Sequence, residues 1–159
     1  MSRVEKRPPW WKGTHGQWWV VAQALLLLAV AVLPPAGPSW PPGIRLPALP
    51  LGIGGLVLAG LGAAALGSSL TVLPRPRARG RLVREGVYRL VRHPIYGGVI
   101  LLALAWAVWR MSLLHLGLAV IVAFFFYAKA RREERWLLER FPEYAAYRRE
   151  VRAFIPWLY

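Results

Sequence analysis

Residues Ile95–Tyr127 are apolar except around RMSLLH at 110–115. One straight helix over that stretch reaches about 50 Å at 1.5 Å per residue, against a hydrocarbon core of roughly 30 Å. The stretch therefore has to fold back on itself as a helical hairpin turning near Arg110–His115. The first arm, Ile95–Trp109, is short, so the hairpin either crosses the bilayer or only dips into it, and both options return the chain to the side it left.

The remaining sequence fits the same environment. The run Gln17–Leu33 (QWWVVAQALLLLAVAVL) reads as a first spanning helix, with Trp10, Trp11, Trp18 and Trp19 around its start like an aromatic belt. It follows a basic segment and ends in Pro-Pro without a small-residue cleavage site, so a retained span is expected rather than a cleaved signal peptide. PPAGPSWPPGIRLPALP then reads as a short, stiff, non-helical loop, because proline lacks a donor and fixes φ. Leu51–Leu73 is the second span. Ala59, Ala63 and Gly67 recur four apart along it, as do Gly60, Ala64 and Ser68, a spacing that lets helices approach closely. Gly97-Gly98 fits close helix packing as well.

The chain is 57% hydrophobic and yet carries a formal net charge of +14. The two facts agree once the charge lies in the segments between spans, which favours a membrane surface over nucleic acid as partner. Four Lys/Arg precede the first span, seven lie in 74–94 and eight in 128–159, against Arg45 alone in the proline-rich loop and Arg110 alone in the hairpin turn. The positive-inside rule then places both termini and the 74–94 connector in the cytoplasm. The expected fold is an all-α integral membrane protein of about four transmembrane helices. It has an N-terminal two-helix part (1–73), and a core (74–159) in which the connector and tail meet beside the hairpin. Without cysteine, disulfides, thiolate metal sites and cysteine nucleophiles are excluded. His15, His93 and His115 have no partners at metal-ligand spacing, so no metal is expected.

Chemistry-bearing residues gather in the connector and tail. In GVYRLVRHPIY, Pro94 suits the first turn of a helix, which sets Arg92 and His93 beside a helix N-terminus suited to anions, with Tyr96 pointing inward. A membrane-edge basic cluster would read similarly. Glu133 and Glu134 are the only adjacent acids in the chain. Neighbours on a helix diverge by about 100°, so the two serve different points, and Lys129 shares the face of Glu133. Tyr144 and Tyr147 suit either the membrane interface or the cap of an apolar site.

Together, LVREGVYRLVRHPIYGG and EERWLLERFPEYAAYRREVRAFIP, separated by an apolar hairpin, resemble the isoprenylcysteine carboxyl methyltransferase family and the related phospholipid methyltransferases. The resemblance covers about residues 80–159. It implies an integral-membrane methyltransferase that uses S-adenosylmethionine (SAM), yields S-adenosylhomocysteine (SAH), and acts on a lipophilic acceptor entering from the bilayer. Transferred by position, it implies cofactor contacts at Leu82, Val83, Tyr88, His93, Pro94, Ile95, Tyr96 and Glu133. Arg92 joins them as the cation beside the helix start. Substrate contacts are implied at Lys129, Glu134 and Tyr147. Lys129 stands where the prenylcysteine enzymes carry Arg, and an ammonium does not grip a carboxylate as a planar fork does. Arg152 follows Val151 where relatives often have Pro. Two competing readings remain: an NADPH-dependent membrane reductase of related helical architecture, and a non-catalytic module whose basic connector binds anionic lipid.

Overall fold

The computed structural model describes residues 16–38, 40–67 and 82–154. Trp10, Trp11, His15, Ser68, the basic run 74–81 and the closing Ile155-Pro156 lie outside these residues. The order is α1 (Gln17–Val32), a 3-10 turn (Pro42–Arg45), α2 (Ala48–Leu66), a second 3-10 turn (Gly86–Arg89), α3 (Pro94–Arg110), α4 (Leu113–Arg140) and α5 (Tyr144–Glu150). No strand occurs among the described residues; Val91 and Arg152 form one isolated parallel bridge. The all-helical expectation holds there. Gly43–Leu66 and Leu113–Arg140 are long and apolar enough to cross a membrane, and α1 and α3 are shorter apolar helices.

Two boundaries differ from the sequence reading. The proline-rich loop is partly helical: Pro42–Arg45 form a turn, and Ala48, Leu49 and Pro50 open α2. A proline in the first helical turn forfeits no intrahelical bond, because those N–H groups have no partner anyway. At its far end α2 stops at Leu66, where Gly67 turns the chain with φ +47°. The hairpin turn is tight and falls where expected. Met111 adopts the left-handed conformation, and Ser112 caps α4 by accepting from His115 N at 3.3 Å. The same hydroxyl accepts from Ala36 N at 2.9 Å and donates to Ala36 O at 3.0 Å, tying the α1–α2 loop to the turn.

Helices α2 and α3 are in the most intimate contact. A Cβ added at Gly98 would lie 2.6 Å from Gly55 O and 2.7 Å from the Ala59 Cβ, and one at Gly62 would lie 2.9 Å from Pro94 and Ile95 side-chain atoms. The packing stripe on α2 is thus Gly55, Ala59 and Gly62. Of the small-residue rows read from the sequence, Ala59 belongs to it, whereas Gly60 and Ala64 face outward and Gly60 has nothing near it. Spacing of four marks a possible seam, but which row is used depends on the partner helix. The apolar core lies between α1, α3 and α4, around Val30, Ala103, Ala107, Val122 and Phe126. Outside it, large apolar side chains such as Leu25, Leu28, Leu56, Leu61, Ile121 and Phe124 are exposed. A soluble monomer rarely presents so continuous an apolar exterior, and a lipid environment accommodates it. With 28 residues, α4 extends about 42 Å. Its apolar part therefore continues without a break into the charged segment that carries Lys129, Glu133 and Glu134.

Candidate functional site

A half-open cavity of about 280 Å³ lies where the start of α3, the end of α4, the connector and α5 converge. Pro94 starts α3 at a buried position, and His93 precedes it as the N-cap residue. Helix α3 therefore begins at the cavity wall, with Ile95 and Tyr96 of its first turn on the lining. The tail crosses directly above. Arg92 N donates to Arg152 O at 2.8 Å and His93 N to Ala153 O at 3.0 Å.

Glu134 is the electrostatic centre of this crossing. Its Oε1 accepts from Arg92 Nε at 2.9 Å, forms an ion pair with Arg92 Nη2 at 2.9 Å, and lies 3.1 Å from His93 Nε2. Its Oε2 forms an ion pair with Arg148 Nε at 3.1 Å. The Arg92 Nη1 group donates to the carbonyls of Arg148 and Val151. One carboxylate and one guanidinium thus fasten the tail onto the connector. A buried charge is tolerated only when paired and hydrogen-bonded in this way. Tyr147 adds a further tie, donating to Tyr88 O at 2.5 Å. Burial pushes the Tyr147 hydroxyl up to about 12 and raises those of Tyr88 and Tyr144 further, so all three phenols stay neutral at physiological pH.

Glu133, the neighbouring acid, faces the cavity, and its Oε2 accepts from Tyr96 Oη at 2.8 Å. The Tyr96 ring stacks on His93, with centroids 5.4 Å apart and planes within 3°. Lys129, one turn before Glu133, is 1% exposed. Its Nζ donates to Gln23 Oε1 at 2.5 Å and lies 5.2 Å from the Tyr96 ring centroid. Beyond these groups the wall is apolar, formed by Leu66, Val99 and Phe126.

Of the residues singled out in the sequence, Leu82, Val83, Tyr88, Arg92, His93, Ile95, Tyr96, Lys129, Glu133 and Tyr147 line this one cavity. Pro94 and Glu134 do not. Pro94 packs behind the wall against α2, and the Glu134 oxygens are engaged by Arg92, His93 and Arg148. The expectation that Glu134 faces a substrate thus differs from its observed place in the clamp. The 100° offset between neighbours on α4 turns Glu133 to the cavity and Glu134 to the tail. Gln23, Leu66, Val99, Phe126 and Leu137 also line the cavity and were not singled out for it, and Tyr144, read as either interfacial or a cap, lines it too. For Gln23 a clue was present, since an amide inside an apolar span calls for a polar partner. Among the described residues no group of His, Cys, Asp and Glu is arranged to hold a metal ion.

The donor set combines an acid, two cationic side chains, stacked aromatic faces and an adjoining apolar wall. It suits a ligand with separate charged and hydrophobic parts, approached by a second, lipophilic molecule.

The family model described as phospholipid methyltransferase matches residues 45–144. The cobalt-zinc-cadmium resistance protein CzcN of Cupriavidus metallidurans is 39% identical over 83 residues, which cover 52% of this chain and 38% of that protein. Methanethiol S-methyltransferase 1 of Bradyrhizobium diazoefficiens is 38% identical over 72 residues, covering 45% of this chain and 25% of that protein. The matched stretches therefore span well under half the length of either relative.

Proposed function

Because the chain belongs to the phospholipid methyltransferase family, we propose that it is a membrane methyltransferase, transferring a methyl group from SAM to a lipophilic acceptor reached from the bilayer. The observation that carries this reading is the single cavity in which Glu133, Arg92 and the Tyr96–His93 stack adjoin the apolar wall of Leu66, Val99 and Phe126.

In this reading the residues divide the cofactor among them. The α3 N-terminus, with Arg92 and His93 beside it, suits a carboxylate, because helix starts carry unsatisfied N–H groups and a partial positive charge. Glu133 suits the ammonium. The faces of Tyr88 and Tyr96 suit a sulfonium through cation–π attraction. Leu82, Val83 and Ile95 give apolar contact to the nucleoside. Lys129 and Tyr147 stand toward the acceptor, and Glu134 serves by holding the tail in place. Bound SAM would supply an electrophilic methyl on a positively charged sulfur, open to in-line attack by the acceptor's lone pair as the methyl–sulfur bond breaks and SAH is left as the neutral thioether. The protein's part is alignment and exclusion of water, effects that together account for a large share of such catalysis. A carboxylate or thiolate acceptor requires no general base, and a neutral amine loses a proton.

The orientation follows the charge distribution: both termini, the connector and the tail cytoplasmic, and four helices crossing the membrane. SAM then enters from the cytoplasm, and the basic connector rests against anionic lipid headgroups. The relative named for methanethiol makes a thiol one candidate acceptor, beside an isoprenylcysteine-like carboxylate and a lipid headgroup. Neither relative favours the NADPH reductase or the non-catalytic module.

Calorimetric binding of SAM, SAH and NADPH to the detergent-purified protein tests the reading. SAM and SAH are expected to bind, with affinity falling at least tenfold in Glu133→Gln through loss of one charge-assisted contact. Binding of NADPH without SAM would overturn it.

A further inference from the structure

Gln23 is the one amide in the interior of α1, whose other residues after Gln17 are Trp, Val, Ala and Leu. A polar side chain in such a helix is costly unless it faces a partner or a polar cavity. Gln23 does both: it lines the cavity, and its Oε1 accepts from Lys129 Nζ at 2.5 Å. An ammonium has donors only, so the amide oxygen is the atom turned to Lys129 and the amide N–H groups remain donors. Helix α1 also lies outside residues 45–144, the part matched by the family model. An element outside that segment therefore fixes the position of a buried cation within the site.

The position of that cation matters. Lys129 Nζ is 5.2 Å from the Tyr96 ring centroid and 5.8 Å from that of Phe126, where the polar part of the cavity meets its apolar wall. Glu133, four residues on, is the nearest acid along the same helix face. It is hydrogen-bonded to Tyr96 and, in the reading above, faces the cofactor's ammonium. Lys129 is then the charge presented to the second ligand. In a dry site a fixed ammonium strongly favours an anionic neighbour and repels a cationic one.

We propose that Gln23 is a specificity-determining residue. By anchoring the Lys129 ammonium at the apolar wall, it makes the cavity select an amphiphile with an anionic head group, a carboxylate or thiolate, and reject one with an ammonium head. The inference rests on the methyltransferase reading for the role of Glu133. Gln23 acts through Lys129 and is a positioning residue.

The test compares dodecanoate with dodecylamine, equal in chain and opposite in head charge, binding to the SAH-loaded full-length protein in nanodiscs. SAH binding is measured separately in every preparation. Wild type is expected to bind dodecanoate about tenfold more tightly than dodecylamine, the effect of one charge-assisted contact. In Gln23→Leu the ammonium loses its amide anchor at the apolar wall, and the preference falls by about that factor. Gln23→Glu sets a carboxylate against Lys129 and turns the preference toward dodecylamine, a reversal that a merely structural role for Gln23 would not produce. Equal binding of the two amphiphiles by wild type, an unchanged preference in both variants, or binding of neither overturns the proposal. SAH binding that persists through such a result leaves the methyltransferase reading standing, whereas loss of SAH binding in wild type removes that reading itself.

Discussion

The α2–α3 seam and the connector–tail clamp both border the cavity, and they are made of opposite materials. In the seam two backbones touch through Gly55, Ala59, Gly62 and Gly98, with no charged group between them. In the clamp a buried carboxylate is ringed by Arg92, His93 and Arg148, and the tail is tied on through carbonyls and a phenol. The seam sets where α3 begins; the clamp sets what covers that beginning. One fails by excess volume and the other by loss of charge, and each mode of failure has a distinct signature.

The clamp should show the largest effect. Glu134→Gln preserves shape and removes the charge, leaving the buried Arg92 guanidinium without its counter-charge. Removing one partner of a buried ion pair typically costs about 3–5 kcal/mol. Equilibrium unfolding in mixed SDS micelles should register a loss of that order, with SAM affinity falling as the tail loosens. Glu133→Gln, one residue earlier, should lower SAM affinity with little change in unfolding. Equal stability losses in the two variants would erase the distinction between a clamp acid and a cavity acid.

The seam should come next. Gly98→Ala brings a methyl to 2.6 Å from Gly55 O, where backbone rather than a flexible side-chain end must move. Overpacking of that kind costs about 1–3 kcal/mol. The matched control is Gly60→Ala on α2, which meets nothing within 4 Å. An exposed helical glycine replaced by alanine should be neutral or stabilise by about 0.5–1 kcal/mol. Thermal unfolding of the pair in one detergent reads the contrast. If Gly60→Ala proves the more damaging variant, the face assigned to the seam is wrong.

The two regions also differed in how far the sequence disclosed them. The hairpin turn at 110–115 was legible, because length and bilayer thickness leave few alternatives. So was the start of α3, because Pro94 suits a first turn. The separate faces of Glu133 and Glu134 followed from helical geometry, although which acid meets a ligand did not. Seam register was hidden, since rows four apart on α2 look alike until α3 selects one. Gln23 and Lys129 meet across 106 positions, and nothing local to either residue announces that contact. The helical start at Ala48 was obscured by prolines, whose harmlessness in a first turn becomes visible only once the boundary is known. Tyr144 and Tyr147 read as either interfacial or the cap of an apolar site, because buried and interfacial tyrosines share a composition, and only the folded tail distinguishes them.

Tyr147 gives the finest probe of the clamp. Its hydroxyl donates to Tyr88 O, and Tyr147→Phe removes that bond while keeping the ring that meets Tyr144 edge-on at 5.7 Å. One buried neutral hydrogen bond is worth about 0.5–1.5 kcal/mol, so a loss near 1 kcal/mol is expected at neutral pH. The loss should depend on pH in a definite sense. Burial raises the folded phenol from 10.0 to about 12. Between those values the unfolded chain releases a proton that the folded chain retains, so the stability contributed by Tyr147 is complete below pH 10 and declines as pH rises toward 12. The wild-type advantage over Tyr147→Phe should therefore narrow across that window, read by paired unfolding titrations at pH 9 and above. An advantage that stays constant through pH 11 would mean that this phenol is better solvated than its place under the tail implies, and that the clamp closes less tightly over the connector than the seam closes over α3.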